Sequence, residues 1–288
     1  MGGILMLQIK DLRKTYPGFS LQVSMEVQPG RIVGLIGANG AGKSTIFKSA
    51  LGLIHTDGGI LHLLGKDPEK LEPIDREQAG AVLSEAGFSE YLTIGDVKRV
   101  LRAMYSCFDQ DFFTEKARAF GLEEKKKVGE LSTGMKARLK VLSALSYHPK
   151  LLLLDEPTAG LDVVARDEVY GLVRTFMEED ETHAVLISSH ISADLEKLCD
   201  EFYLIDGGRM LLHETADVLF SEYAVVKVTE EAFSALDKTY LLKYLKEPFG
   251  CSCLTNQRAF YQENNPELVI EKAGLDELIT LMIRGEKI

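Results

Sequence analysis

Gly37-Ala38-Asn39-Gly40-Ala41-Gly42-Lys43-Ser44-Thr45 fits the pattern GxxxxGK[ST] without a mismatch, and the rest of the chain is arranged around it. A phosphate chain carries several negative charges. Glycines let successive backbone N–H groups turn inward around it without Cβ clashes. A helix that starts at the end of such a loop adds the positive end of its dipole. In this pattern Lys43 reaches the β- and γ-phosphates and Ser44 offers its hydroxyl to Mg²⁺. The flanks agree. Arg31 to Gly37 (RIVGLIG) is a nearly continuous apolar run, as in a strand buried on both faces, and KSTIFKSALGL reads as a helix.

Outward toward the N-terminus, LMLQIKDL and FSLQVSMEV alternate in polarity and are punctuated by Pro17-Gly18 and Pro29-Gly30, which predicts an antiparallel hairpin-like region. Outward in the other direction, AGAVLS reads as a strand. Thr93 and Asp96 then form a candidate capping box, with Val97, Val100, Leu101 and Met104 on one helix face. Helical patterns return at Phe112 to Phe120 and Ser132 to Tyr147, so a helical block of about 87 to 148 is expected between strands. LLLLDEP, a helix near Val163 to Glu179, and AVLISS then alternate as in a parallel sheet covered by helices. EFYLID and RMLLHE flank Gly207-Gly208 as a hairpin. Beyond residue 216, AVVKVT (a strand) and GLDELITLMI (a helix) predict a small α+β appendage or a helical extension.

Leu151 to Glu156 delivers the pair Asp155-Glu156 at the end of an apolar strand, where a parallel sheet presents ligands. Asp155 suits a hard cation such as Mg²⁺, and Glu156 suits the polarisation of an attacking water. Alone, a strand ending in Asp-Glu is ordinary; beside a phosphate loop it is not. Leu131-Ser132-Thr133-Gly134-Met135-Lys136 lies 88 residues after Lys43 and directly before a helix. An isolated Ser there is a helix cap, yet a free hydroxyl at a helix start also suits a second phosphate contact.

With these elements in place, the sequence resembles the ATP-binding subunits of ABC transporters over about residues 5 to 215. Their signature begins LSGGQ, follows the phosphate loop and precedes the acidic strand end. Here Thr133 and Met135 depart from it, while Ser132 and Gly134 are kept. Glu156 to Asp162 (EPTAGLD) is similar to the family's strand exit and D-loop, and His190 in ISSHIS sits where the family has its switch histidine. Tyr16 matches the aromatic that stacks on adenine. Aligning AGAVLSEAGF with the family's Mg²⁺-sensing glutamine segment puts Glu85 at that position.

The resemblance implies an α/β fold: a P-loop NTPase core with an N-terminal antiparallel β subdomain, an inserted helical subdomain and a small C-terminal appendage. Residues 1–215 would form the ATPase domain and 216–288 an accessory region. It implies ATP and Mg²⁺ as cofactors. Nucleotide would be bound by Tyr16, Gly37, Asn39, Gly40, Gly42, Lys43, Ser44, Thr45, Glu85, Ser132, Gly134 and Asp162. Ser44, Asp155 and Glu85 would hold the metal, and Glu156, His190 and Lys43 would carry catalysis. The signature of one copy would face the loop of another across a homodimer or heterodimer. The pore would be a separate transmembrane permease, engaged through the helical block near Glu85 to Thr93. SEAGFSEYLT and the appendage look like those of bacterial export subunits.

Composition sets the outer limits. At 288 residues, 45% hydrophobic and 27% charged, the chain supports one large or two ordinary globular domains. A net charge of −11 argues against a nucleic-acid coat. No apolar run approaches the roughly 20 residues of a membrane span. The start MGGILMLQIK has no basic n-region or cleavage site, and Met6 stands where an acylation motif wants Ser or Thr. These features predict an uncleaved, unanchored cytosolic protein, and the resemblance implies that it sits on the inner membrane face through its partner. Cys107, Cys199, Cys251 and Cys253 lack metal-ligand spacing and read as free thiols. An ATP-driven clamp on ribosome or DNA is the alternative, but the former type joins two cassettes by a basic linker and the latter inserts a long coiled coil. A kinase of the P-loop group has no use for the signature and His190.

Overall fold

The computed structural model describes residues 4–288; the reading of Met1 and Gly2 as an uncleaved, unacylated start lies outside them. The chain opens with β1 (Leu7–Tyr16) and β2 (Phe19–Val27), an antiparallel pair, followed by β3 (Ile32–Ile36) and α1 (Lys43–Ala50). Next come β4 (Gly58–Leu63), α2 (Pro73–Arg76) and β5 (Ala79–Val82). The helical block holds α3 (Ile94–Met104), α4 (Gln110–Ala119) and α5 (Thr133–Leu145). The chain returns to the sheet with β6 (Leu151–Asp155), α6 (Val163–Glu179), β7 (Ala184–Ser189), α7 (Ser192–Leu195), β8 (Glu201–Asp206) and β9 (Arg209–Thr215). The C-terminal region contains α8 (Ala216–Glu222), β10 (Ala224–Val228), α9 (Glu230–Ala235), β11 (Leu241–Glu247), β12 (Gly250–Thr255), α10 (Arg258–Asn264), β13 (Val269–Lys272) and α11 (Leu275–Arg284).

Two sheets form, in the orders β4-β1-β2-β9-β8-β3-β7-β6-β5 and β11-β12-β10-β13. Within the first, β8, β3, β7, β6 and β5 run parallel, and β1, β2 and β4 pair antiparallel. The apolar runs have a direct cause. On β6, Leu152 and Leu154 enter the cluster shared with α5, α6 and α7, while Leu151 and Leu153 enter the cluster shared with α1 and the N-terminal strands. β3 and β7 divide their side chains in the same way. A strand with no solvent face has no polar alternation to show, and each such side chain contributes about 1.5–3 kcal/mol on burial. The antiparallel N-terminal strands, the parallel core, the helical block and the C-terminal α+β unit match the expected fold class.

The capping box of α3 is present in both directions, between the Thr93 hydroxyl and Asp96 N–H and between the Asp96 carboxylate and Thr93 N–H. The expected apolar face of α3 splits. Val97 and Leu101 are buried with Phe113 and Leu139, whereas Val100 and Met104 are exposed. The C-terminal sheet is covered on one side by its own small cluster around Val226, Cys253 and Tyr261. Val225 and Leu254 instead join the main core, together with Leu275, Leu278 and Leu281 of α11. Among the described residues, no helix is long and apolar enough to cross a membrane.

Candidate active site

The phosphate loop bridges β3 and α1. Two of its glycines are dictated by space and torsion. A Cβ on Gly37 would stand 2.3 Å from the Ile205 carbonyl oxygen, and Gly42 has φ +114, a torsion that L side chains rarely adopt. Lys43 is buried at 6% exposure. Its amine donates to the carbonyls of Gly37 at 2.7 Å and Ala38 at 3.3 Å. It also lies 3.3 Å from Glu156 Oε1.

The carboxyl edges of β3, β7, β6 and β5, neighbours in the sheet, converge beside the loop. Asp155, at the end of β6, is 1% exposed and collects three hydroxyl donors. Ser44 and Ser84 donate to Oδ2 at 2.7 and 3.0 Å, and Ser188 donates to Oδ1 at 2.8 Å. Charge-assisted bonds of this kind compensate a carboxylate withdrawn from water. One residue later the chain turns sharply. Glu156 has φ +51, a strained torsion costing on the order of 1 kcal/mol or more, and its N–H is held by Ser188 Oγ at 2.9 Å. The turn brings Glu156 Oε2 within 2.7 Å of His190 Nδ1. An ionised carboxylate only accepts, so Nδ1 carries the proton. Glu156 Oε1 is buried with no aligned donor among the described residues. It is an acceptor site ready for a proton donor.

Asn39, Gly40, Gly42, Lys43, Ser44, Thr45, Ser84, Glu156 and His190 line one cleft of about 430 Å³, with Phe19 at its lip. The volume lies within the range of small-ligand sites. Two serine hydroxyls beside one buried carboxylate are hard oxygen donors, the set a Mg²⁺ ion takes while keeping several waters.

The family profile described as "ABC transporter" matches residues 21–159. The lantibiotic transport ATP-binding protein SrtF of Streptococcus pyogenes is 33% identical over 215 residues, covering 74% of this chain and 92% of its own. The Nod factor export ATP-binding protein I of Burkholderia lata is 35% identical over 194 residues, 66% of this chain and 63% of its own. A solved structure of an ATP binding subunit of an ABC transporter superposes with TM-score 0.67 at 27% identity, covering 74% of this chain and 91% of that one. The chain belongs to the ABC transporter family. It is one of that family's ATP-binding, ATP-hydrolysing subunits.

Four of the residues expected to bind nucleotide, Ser132, Gly134, Asp162 and Tyr16, lie outside the cleft. Ser132 caps α5 by accepting from Met135 N–H at 3.3 Å, and Gly134 allows close packing, since a Cβ there would lie 2.9 Å from Ala165 Cβ. Asp162 caps α6 through Ala165 N–H at 2.8 Å. None of these three lines the cleft. Tyr16 does not line the cleft itself: its ring lies beside that of Phe19, centroids 6.5 Å apart, and Phe19 is a lining residue. Phe19 was legible only as an apolar residue of an alternating strand.

Glu85 requires a correction. Its carboxylate is bonded to Lys48 Nζ at 2.7 Å and is 78% exposed, rather than bonded within the Asp155 cluster. That bond holds the Lys48 amine above its ordinary pKa. Ser84, one residue earlier, takes the place beside Asp155. Both residues lie in the turn after β5, and there Ser84 bonds to Asp155 while Glu85 bonds to Lys48. Ser84 and Ser188 were missed because a serine at a strand end carries no motif.

Proposed function

We propose that this chain drives an ABC transporter by closing on a second ATPase subunit around ATP. Residues 1–215 would be the ATPase domain, with a helical subdomain at about 87–148, and 216–288 an accessory unit. The loop of Gly37 to Thr45 cradles the phosphates, with Lys43 neutralising the β- and γ-groups. Ser44 and Asp155, with Ser84 beside them, would hold Mg²⁺, which would supply charge neutralisation at the phosphates. Glu156 accepts the proton of the attacking water, the task for which its buried Oε1, paired with Lys43 but bearing no aligned hydrogen bond among the described residues, is suited. His190 fixes the Glu156 carboxylate and reports the γ-phosphate. Phe19 offers the base a stacking surface, with Tyr16 beside it.

The observation that carries this reading is the meeting of four strand ends around one loop, with acid, base, hydroxyls and lysine each within bonding distance of the next. Ser132, Gly134 and Asp162 lie outside the cleft of their own chain, which favours a partner subunit supplying them. Because one chain carries both halves, a two-fold homodimer has two working sites; a related chain would serve equally in a heterodimer. A separate permease would dock near Glu85 to Thr93, beside the apolar groove lined by Leu83, Phe88, Val100 and Met104. The chain would then sit on the cytoplasmic membrane face through that permease. The relative named for Nod factor export favours export. The net charge of −11 argues against a direct role on nucleic acid.

Glu156→Gln tests the assignment. ATP binding should be retained while turnover falls by about 10²–10⁴, the contribution of a positioned general base. Hydrolysis at the parent rate would remove Glu156 from the mechanism.

A further inference from the structure

α7 is a single turn that begins two residues beyond His190. One turn has little stability of its own, so its neighbours set its position, and with it the path of His190. The C-terminal region grips it twice. Ser192 is 2% exposed, and its hydroxyl donates to Asp276 Oδ1 in the first turn of α11. In return, Leu275 N–H donates to Glu196 Oε1 at 2.7 Å. Leu195, Leu275 and Leu278 pack in the same apolar cluster and are all but fully buried, which fixes α11 against α7 beside these polar contacts.

The same turn is fastened to the strand-exit segment. Asp194 Oδ2 lies 2.8 Å from Arg166 Nη1, and Arg166 Nη2 donates to the Leu161 carbonyl at 3.2 Å. The Tyr170 hydroxyl, 3.5 Å from Asp194, also meets the Thr158 hydroxyl at 3.0 Å. α7 is therefore the joint between residues 158–170, His190 and α11. None of its residues lines the nucleotide cleft.

We propose that Asp276 is a positioning residue for hydrolysis: through Ser192, the first turn of α11 holds α7 so that the His190–Glu156 contact is kept. The accessory region would thereby set turnover without touching nucleotide. This rests on the assignment of His190 to hydrolysis given above. A group displaced by a fraction of an ångström loses much of its contribution to rate while binding elsewhere is unaffected.

The test uses the full chain carrying Asp276→Ala, read by steady-state ATP hydrolysis and by ¹⁵N NMR of the His190 imidazole. The expected result is a kcat lowered about tenfold, a KM for ATP within about twofold of the parent, and His190 ring signals moved toward those of a free histidine. Asp276→Asn keeps the accepting Oδ1 and should restore both rate and signals. Ser192→Ala removes the donor instead and should reproduce the loss, which keeps the test open if Asp276→Ala folds poorly. Unmoved His190 signals in both alanine variants would overturn the proposal whatever the rate. Moved signals with an unchanged kcat would uphold the positioning and refute the catalytic assignment of His190. An equal loss of kcat from Asp276→Ala in a His190→Ala background would also overturn it.

Discussion

Ser84 and Glu85 are adjacent, yet the geometry gives them different consequences for metal dependence. Ser84 Oγ donates to Asp155 Oδ2 at 3.0 Å, onto a carboxylate that is 1% exposed. A hydrogen bond to a buried charge contributes about 1.5–3 kcal/mol. In Ser84→Ala, Asp155 keeps Ser44 and Ser188, so the lower end applies: about 1.5 kcal/mol, or roughly tenfold. Glu85 instead pairs with Lys48 while 78% exposed, and a surface pair contributes about 0–1 kcal/mol, at most about fivefold and screened by salt. The assay is the free Mg²⁺ concentration that half-saturates ATP hydrolysis at saturating ATP. Ser84→Ala should raise it about tenfold and Glu85→Gln should leave it nearly unchanged. An unchanged midpoint in Ser84→Ala, or an equal shift in Glu85→Gln, would refute the placement of Ser84 at the metal.

Gly42→Ala puts a Cβ at φ +114 and 2.8 Å from Leu21 Cδ1. Stability should fall by about 1–3 kcal/mol, seen as an earlier urea midpoint; an unshifted midpoint would contradict the close fit of the loop on β2. Asp96 has its pKa lowered to about 2 by the Thr93 hydroxyl, then by Thr93 N–H and Arg99. Because the folded value lies below the ordinary 3.8, this cap stabilises α3 fully above about pH 4 and is lost as pH falls toward 2. A ¹³C titration of the Asp96 carboxyl should show the low midpoint, and one near 3.8 would mean that the capping box does not form.

Local chemistry made much of this molecule readable in advance. The loop, the buried strand before it and the helix after it occupy one continuous stretch, and Thr93 and Asp96 meet within a single helical turn. α6 and β7 begin and end where their patterns do. What stayed hidden depends on contacts distant in sequence. Asp155 gathers hydroxyls from positions 44, 84 and 188, and no spacing rule connects a serine at the start of α1 with one past β5 and one in β7. The Glu85 expectation failed by one residue for the same reason, since the facing of a side chain past a strand is set by the neighbouring strand. Val100 and Met104 follow the helical period of α3, yet both stay exposed along the groove with Leu83 and Phe88. The C-terminal sheet places β10 between β12 and β13, a pairing that weak strand patterns do not specify.

That two chains complete each other's site can be tested by cross-linking. In a Glu156→Gln, Cys107→Ser background, which holds nucleotide and removes the exposed thiol, one preparation carries Asn39→Cys and another Ser132→Cys. Mixed with ATP and a short bis-maleimide, the two should give a dimer-sized product that neither gives alone and that fades with ADP. A mixture that fails to cross-link with ATP, or cross-links equally without it, would contradict the shared site.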